Sequence, residues 1–224
     1  MASGSLPVHV AAGLVRQDGD HVAVEQERVG GHLVAAGVVE PDFGEAPEPA
    51  AGLAHADGGE VAVNGNVVAI GNPAQAADLG MNFIHQELAF VPGMTVLENI
   101  MLGLPKKTRF GMVDWKAIAR DVEPVARRVG ITARLDAEVK DLSTAENWLI
   151  NICRALIRKA RLIVMDEPTA SLSAAESEKL FRIIEDLRDS GVAILYVSHR
   201  LDEILRLCHR VTVFRDGNSV DVIE

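Results

Sequence analysis

The sequence predicts an α/β fold, a mainly parallel sheet flanked by helices, on three observations. Two apolar runs, Leu162–Met165 and Val192–Val197, are too short for helices and end in polar turns. Around them apolar residues recur at helical spacing, as at Leu180, Ile183, Ile184 and Leu187. Strands that alternate with helices in this way make crossovers, which set the strands parallel and put helices on the sheet's faces.

The elements follow in order. Residues 1–57 hold no lysine, and Phe43 is their only aromatic ring apart from histidines. Glu40–Gly52 reads as loop, and the pairs Leu33-Val34 and Val38-Val39 are at most weak strands. This segment shows no helix period and is atypical, a candidate for disorder. From Glu60 to Ile70 two β-rich runs flank Asn64-Gly65, a strong hairpin signal. Asn72-Pro73 reads as an N-cap with proline at the first helical position, for a short helix ending near Gly80. Met81–His85 is a short apolar strand. Asp114 caps a helix running to about Val129, stopped by Gly130. Ser143 caps the next, whose apolar face carries Leu149, Ile152, Cys153 and Leu156. After the Leu162–Met165 strand, the helix through Leu187 ends at Gly191. The Val192–Val197 strand follows, and Leu201, Ile204, Leu205 and Cys208 mark a further helix. Val211–Phe214 is a strand ending in an Asp216-Gly217 turn.

Composition narrows the function. Of 224 residues, 48% are apolar and 24% charged, ordinary for a globular chain. The net charge of −10 is uneven. Residues 1–105 hold two bases, Arg16 and Arg28, against 13 acids, whereas the remainder holds 20 bases and 19 acids. A nucleic-acid partner needs a basic footprint, so none is expected. No apolar run approaches the ~18 residues of a membrane span. The opening stretch has no basic leader, so no signal peptide is expected and the cytoplasm is the expected address. Cys153 and Cys208 stand far apart without a CxxC partner, and both read as core residues on apolar helix faces.

The chemistry concentrates in Leu162-Ile-Val-Met-Asp-Glu-Pro-Thr169. Two carboxylates follow a buried strand, at the sheet edge where α/β proteins bind ligands. One carboxylate suits Mg²⁺, an ion that demands oxygen ligands, and the next can polarise a water. The plainer alternative is a strand ending in a solvated acidic turn. Ser198-His199 ends the next strand after one helix. A right-handed crossover would bring His199 to the same edge as Asp166 and Glu167.

These segments resemble the ATP-binding-cassette (ABC) ATPases. Met165–Leu172 resembles the family's magnesium-binding strand, Tyr196–Glu203 its histidine switch and Phe83–Leu88 its glutamine loop. Thr95–Gly103 and Val211–Gly217 match its flanking segments, in order over about 160 residues, most like the first cassette of bacterial sugar-importer ATPase subunits. The resemblance implies a P-loop NTPase-like fold over residues 58–224, a partial cassette with a helical subdomain at about 95–158. It implies ATP and Mg²⁺ as ligands, with Asp166 and Gln86 toward the metal. It makes Glu167 the general base, His199 the sensor of the γ-phosphate and Gln86 a contact to the attacking water. Ser143, Thr144 and Ala145 would open the signature helix and serve ATP held by an opposite cassette. Membrane permease subunits and a second ATPase cassette are the implied partners, with the chain peripheral on the inner face of the membrane.

The departures from the family are specific. The signature Leu142-Ser-Thr-Ala-Glu146 lacks its usual glycine, and Glu146 brings negative charge toward an anion site. Asn147 and Trp148 are unusual there, and Trp148 reads as a packing anchor. Ser173 stands where many relatives carry an aspartate. The family's G-x-x-x-x-G-K-[ST] loop should precede the glutamine loop by roughly 40 residues. The first lysine is Lys106, beyond Gln86, and the early adenine-stacking aromatic is also missing. Family-like sequence resumes at Ala51-Gly-Leu53, so residues 1 to about 50 are expected to replace the usual N-terminal part. Little or no ATPase activity is expected of this chain alone. The competing reading is a non-catalytic module docking through Gln86–Gly103 on a permease or partner cassette.

Overall fold

The computed structural model describes residues 9–13, 61–63, 66–68, 70, 72–85, 90–215 and 218–223. The centre is a six-stranded sheet. Its strands are β1 (His9–Gly13), β4 (Met81–Ile84), β7 (Leu162–Asp166), β8 (Ala193–Ser198), β9 (Arg210–Arg215) and β10 (Asn218–Ile223), in the order β10-β9-β1-β8-β7-β4. β4, β7 and β8 pair in parallel, with Met81 opposite Leu162 and Asp166 opposite Val197. β1 is antiparallel to both β8 and β9, so β9 runs with the parallel strands while β1 and β10 oppose them. Four of the six strands thus share one direction. A small hairpin, β2 (Val61–Val63) with β3 (Asn66–Val68), pairs Val61 with Val68. The turns at Asn64-Gly65 and Asp216-Gly217 lie outside the described residues, as do Phe43, Leu33-Val34, Val38-Val39 and the Glu40–Gly52 loop.

The sheet is covered on both faces, which is why β7 reads as an unbroken apolar run. Ile163, Met165, Ile194 and Tyr196 point into the larger core, with Leu180, Ile184 and Leu187. Leu162 and Val164 point the other way, toward Ala76 and Met81. The alternation is the period of two that a strand imposes.

The helices start where local chemistry starts them. α1 (Pro73–Asp78) is capped by Asn72, whose Oδ1 accepts from the Gln75 amide at 2.9 Å. α3 (Trp115–Arg128) is capped by Asp114 and ends before Gly130, whose φ of 78° suits a residue without Cβ. α2 (Val96–Ile100), α4 (Thr144–Ile157) and α5 (Ala174–Asp189) each begin with a capping box: Thr95 with Glu98, Ser143 with Glu146, and Ser173 with Glu176. Ser173, whatever a relative has there, starts α5 in this chain. α2, α3 and α4 pack together, and a short hairpin, β5 (Thr108–Arg109) and β6 (Met112–Val113), leads into α3.

Two expectations need correction. α6 (Leu201–Leu207) does not bury the face Leu201, Ile204, Leu205 and Cys208. Leu201 and Leu205 are 60% and 71% exposed, and the buried face is Glu203, Ile204 and Leu207. The helix turns this way because hydroxyl and guanidinium donors behind it take up the Glu203 carboxylate. Cys208 follows α6 rather than lying on it and is only half-buried. Nor did the N-terminal sequence announce β1, which fills the slot between β8 and β9.

Cys153 is buried in α4, and burial pushes both thiols up to about 12. At pH 8 such a thiol is ionised in about one molecule in ten thousand, and the thiolate is the nucleophile. Iodoacetamide at that pH should therefore label neither cysteine of the folded chain within the time it labels both in urea. Rapid labelling of the native protein would contradict the packing described.

Candidate functional site

The site forms where β7 and β8 end side by side. Asp166 is the last residue of β7, half-buried and in register with Val197. Glu167 follows with a φ of 41°, in the left-handed region that residues with a Cβ seldom adopt. Such strain costs about 1–3 kcal/mol and persists only where the surroundings over-determine it. Here the Glu167 amide donates to the Val197 carbonyl at 2.9 Å, and Pro168 closes off the ordinary helical region for the residue before it.

This turn aims the Glu167 side chain at His199. Nδ1 of His199 lies 2.8 Å from Glu167 Oε1. An ionised carboxylate can only accept, so Nδ1 carries the proton and Nε2 faces away from the pair. The imidazole is 56% exposed and the carboxylate 22%, which leaves the pair open to a solute.

The structure thus brings Glu167 and His199 into contact at the end of the strand carrying Asp166. Gln86 lies outside the described residues. Ser143, Thr144 and Ala145 occupy the first turn of α4, a different element. Both the amide and the hydroxyl of Ser143 meet Glu146 Oε2, at 3.1 and 3.2 Å. Glu146 thus engages the amide and hydroxyl of Ser143 in a capping box. Trp148 is 2% exposed and belongs to the main core.

The sequence reading missed a third carboxylate. Glu203, 1% exposed, accepts from Thr169 Oγ1 at 2.8 Å, Tyr196 OH at 2.7 Å and Ser198 Oγ at 3.3 Å. Arg200 Nη1 pairs with it at 2.9 Å. Burial, with this carboxylate beside it, holds the Tyr196 phenol well above its ordinary pKa, so it stays a donor. The available signal was spacing: Glu203 precedes Leu207 by four residues, on the face opposite the exposed Leu201 and Leu205.

Comparison with known proteins fits this geometry. The family model described as ABC transporter matches residues 50–170, more than half of the chain. The chain belongs to the ABC transporter family. The ribose import ATP-binding protein RbsA of Streptococcus agalactiae serotype III (strain NEM316) is 41% identical over 173 residues, 77% of this chain and 35% of that protein. The arabinose import ATP-binding protein AraG 1 of Burkholderia cenocepacia (strain HI2424) is 45% identical over 165 residues, 73% of this chain and 32% of its own. This ABC chain therefore spans about a third of the length of the curated relatives it matches. Its fold resembles a nucleotide-free ATP-binding cassette from an ABC transporter, with a TM-score of 0.64 and 22% identity over 75% of this chain and 70% of that one. A second cassette of an ABC transporter, in its ADP conformation, gives a TM-score of 0.66 at 23% identity, over 76% and 71%.

ABC ATPases use nucleotide and Mg²⁺. Among the described residues no group of three or more His, Cys, Asp or Glu forms a metal cage. Mg²⁺ does not require one, because it takes one or two carboxylates beside water and phosphate oxygens. Asp166 at the end of β7 fits that mode. No helix among the described residues is long and apolar enough to cross a membrane.

Proposed function

We propose that the chain is the ATP-binding, ATP-hydrolysing part of an ABC-type sugar importer, without a phosphate-binding loop of its own. The observation that carries this reading is the 2.8 Å contact between Glu167 and His199 at the end of β7. Asp166 would hold Mg²⁺, which when bound neutralises phosphate charge. Glu167 takes the proton of an attacking water, and His199 orients that carboxylate through Nδ1–H; with a second proton on Nε2 it would donate to the terminal phosphate. Gln86 contacts Mg²⁺ or the water. Ser143, Thr144 and Ala145 serve the ATP of a second cassette, in a dimer or tandem copy. The ribose and arabinose import functions named for the relatives support a sugar as cargo. Membrane permease subunits would hold the chain at the inner face of the membrane.

The triphosphate is the part these residues do not fit. Residues 1–105 contain no lysine, and the family match begins at residue 50. A frame change or a rearranged gene start accounts for both observations. Peptide mass spectrometry that recovers residues 1–50 from the source cell, with an unbroken reading frame, would refute it. The missing lysine also favours the second reading, a non-catalytic module that docks on a permease or partner ATPase.

A graft separates the two. Residues 1–50 are replaced by the corresponding segment of a sugar-importer ATPase that carries G-x-x-x-x-G-K-[ST]. The graft should hydrolyse ATP in a Mg²⁺-dependent way, and Glu167→Gln should abolish turnover. A folded graft that binds a fluorescent ATP analogue yet hydrolyses nothing would favour the docking module.

A further inference from the structure

His199 is more than half exposed, so packing does not hold its ring against Glu167. What is held is the chain on both sides of it. Ser198 Oγ and Arg200 Nη1 both reach the Glu203 carboxylate, and Ser198 Oγ also accepts from the Arg200 amide at 3.0 Å. On the other side of the pair, Thr169 stands two residues beyond Glu167, 2% exposed, with its hydroxyl 2.8 Å from both Glu203 oxygens. One buried carboxylate thus grips the two segments that carry the contact. Tyr196, on β8, completes the set from within the sheet.

We propose that Glu203 is a positioning residue, which fixes the Glu167 carboxylate and the His199 imidazole against each other by tying Thr169 to Ser198 and Arg200. A buried ion pair adds little net stability over apolar packing of the same shape. Four donors converging on one carboxylate do, however, define a single arrangement of two loops. Glutamine replaces it only in part: its uncharged amide keeps one accepting oxygen, and its NH₂ would require hydroxyls that now donate to accept instead. The purpose of the device rests on the catalytic reading of the pair, but its geometry does not and can be tested without nucleotide.

The readout is the imidazole tautomer of His199, from two-bond ¹H–¹⁵N correlations on histidine-labelled protein at a pH where the ring is neutral. The exposed His209 serves as internal reference, and a His199→Gln variant assigns the signal. In the unsubstituted chain the Nδ1–H form should dominate at His199. In Glu203→Gln it should fall to the minor form, matching His209, while circular dichroism still reports a folded chain. Thr169→Val cuts only the link to the Glu167 side, and it should produce the same change. It also decides the question if Glu203→Gln does not fold. A folded Glu203→Gln or Thr169→Val protein that keeps the Nδ1–H tautomer dominant would overturn the proposal. That result would leave the ATPase reading standing, and an inactive graft would leave the positioning role standing.

Discussion

Purified chain incubated with ATP and Mg²⁺ is expected to release phosphate no faster than the background. The groups proposed to act on the attacking water are the Glu167–His199 pair and Asp166 at the end of β7. What sets the rate, though, is stabilisation of charge on the transferred phosphoryl group. One preorganised donor to developing charge is worth about 3–4 kcal/mol. A phosphate loop supplies several, and the loss of only two amounts to about 10⁴–10⁶ in rate. β1 offers no substitute. Its register puts Val10 opposite Ser198 and Gly13 opposite Leu195, so the strand enters at the site edge and runs away from it. Gly13 ends about 10 Å further from that edge, at 3.3 Å per residue. A parallel strand in the same slot would instead deliver the residues after it beside Ser198. A phosphate-release assay checks the expectation. Turnover by the chain as it stands, lost on Glu167→Gln, would mean that the phosphates are held by residues with no resemblance to the family's loop.

Most of the fold was legible because its signals are local. The capping residues Asn72, Asp114 and Ser143 mark helix starts by hydrogen bonds to amides three residues on, and such bonds depend on nothing distant. β7 and β8 declare themselves as short apolar runs because both faces of the sheet are covered. The crossover rule then brings the ends of those two strands to one edge, which is how His199 could be sought beside Glu167. Failures came where tertiary contacts set the outcome. α6 has leucines on two sides, and periodicity favoured Leu201 and Leu205. The donors that draw in Glu203 come from Thr169, Tyr196, Ser198 and Arg200, which no helical repeat records. β1 depends on pairing with strands nearly 200 residues away, and its own HVAAG sequence is a weak β-former.

Trp148→Ala should cost about 3–5 kcal/mol of unfolding free energy, the range for truncating a buried large aromatic. Trp148 is 2% exposed on α4, in the core where Ile150, Ile152 and Cys153 are fully buried. α4 packs on α2 and α3 and also meets β4, so the cavity would open within the packing that ties the helical part to the sheet. The effect differs in kind from losing the cap at Ser143. That cap is exposed, and a cap loss is typically worth about 1 kcal/mol. For a chain of this size the Trp148 loss corresponds to a fall in Tm of about 6–20 °C. Urea unfolding followed by circular dichroism measures it. Trp115, packed against the same core, gives a second signal in the variant. If that core is continuous, both probes move together to lower urea. A loss below about 1 kcal/mol would mean that the indole is not the packing anchor of α4, and a split between the probes would mean that the helical part unfolds apart from the sheet.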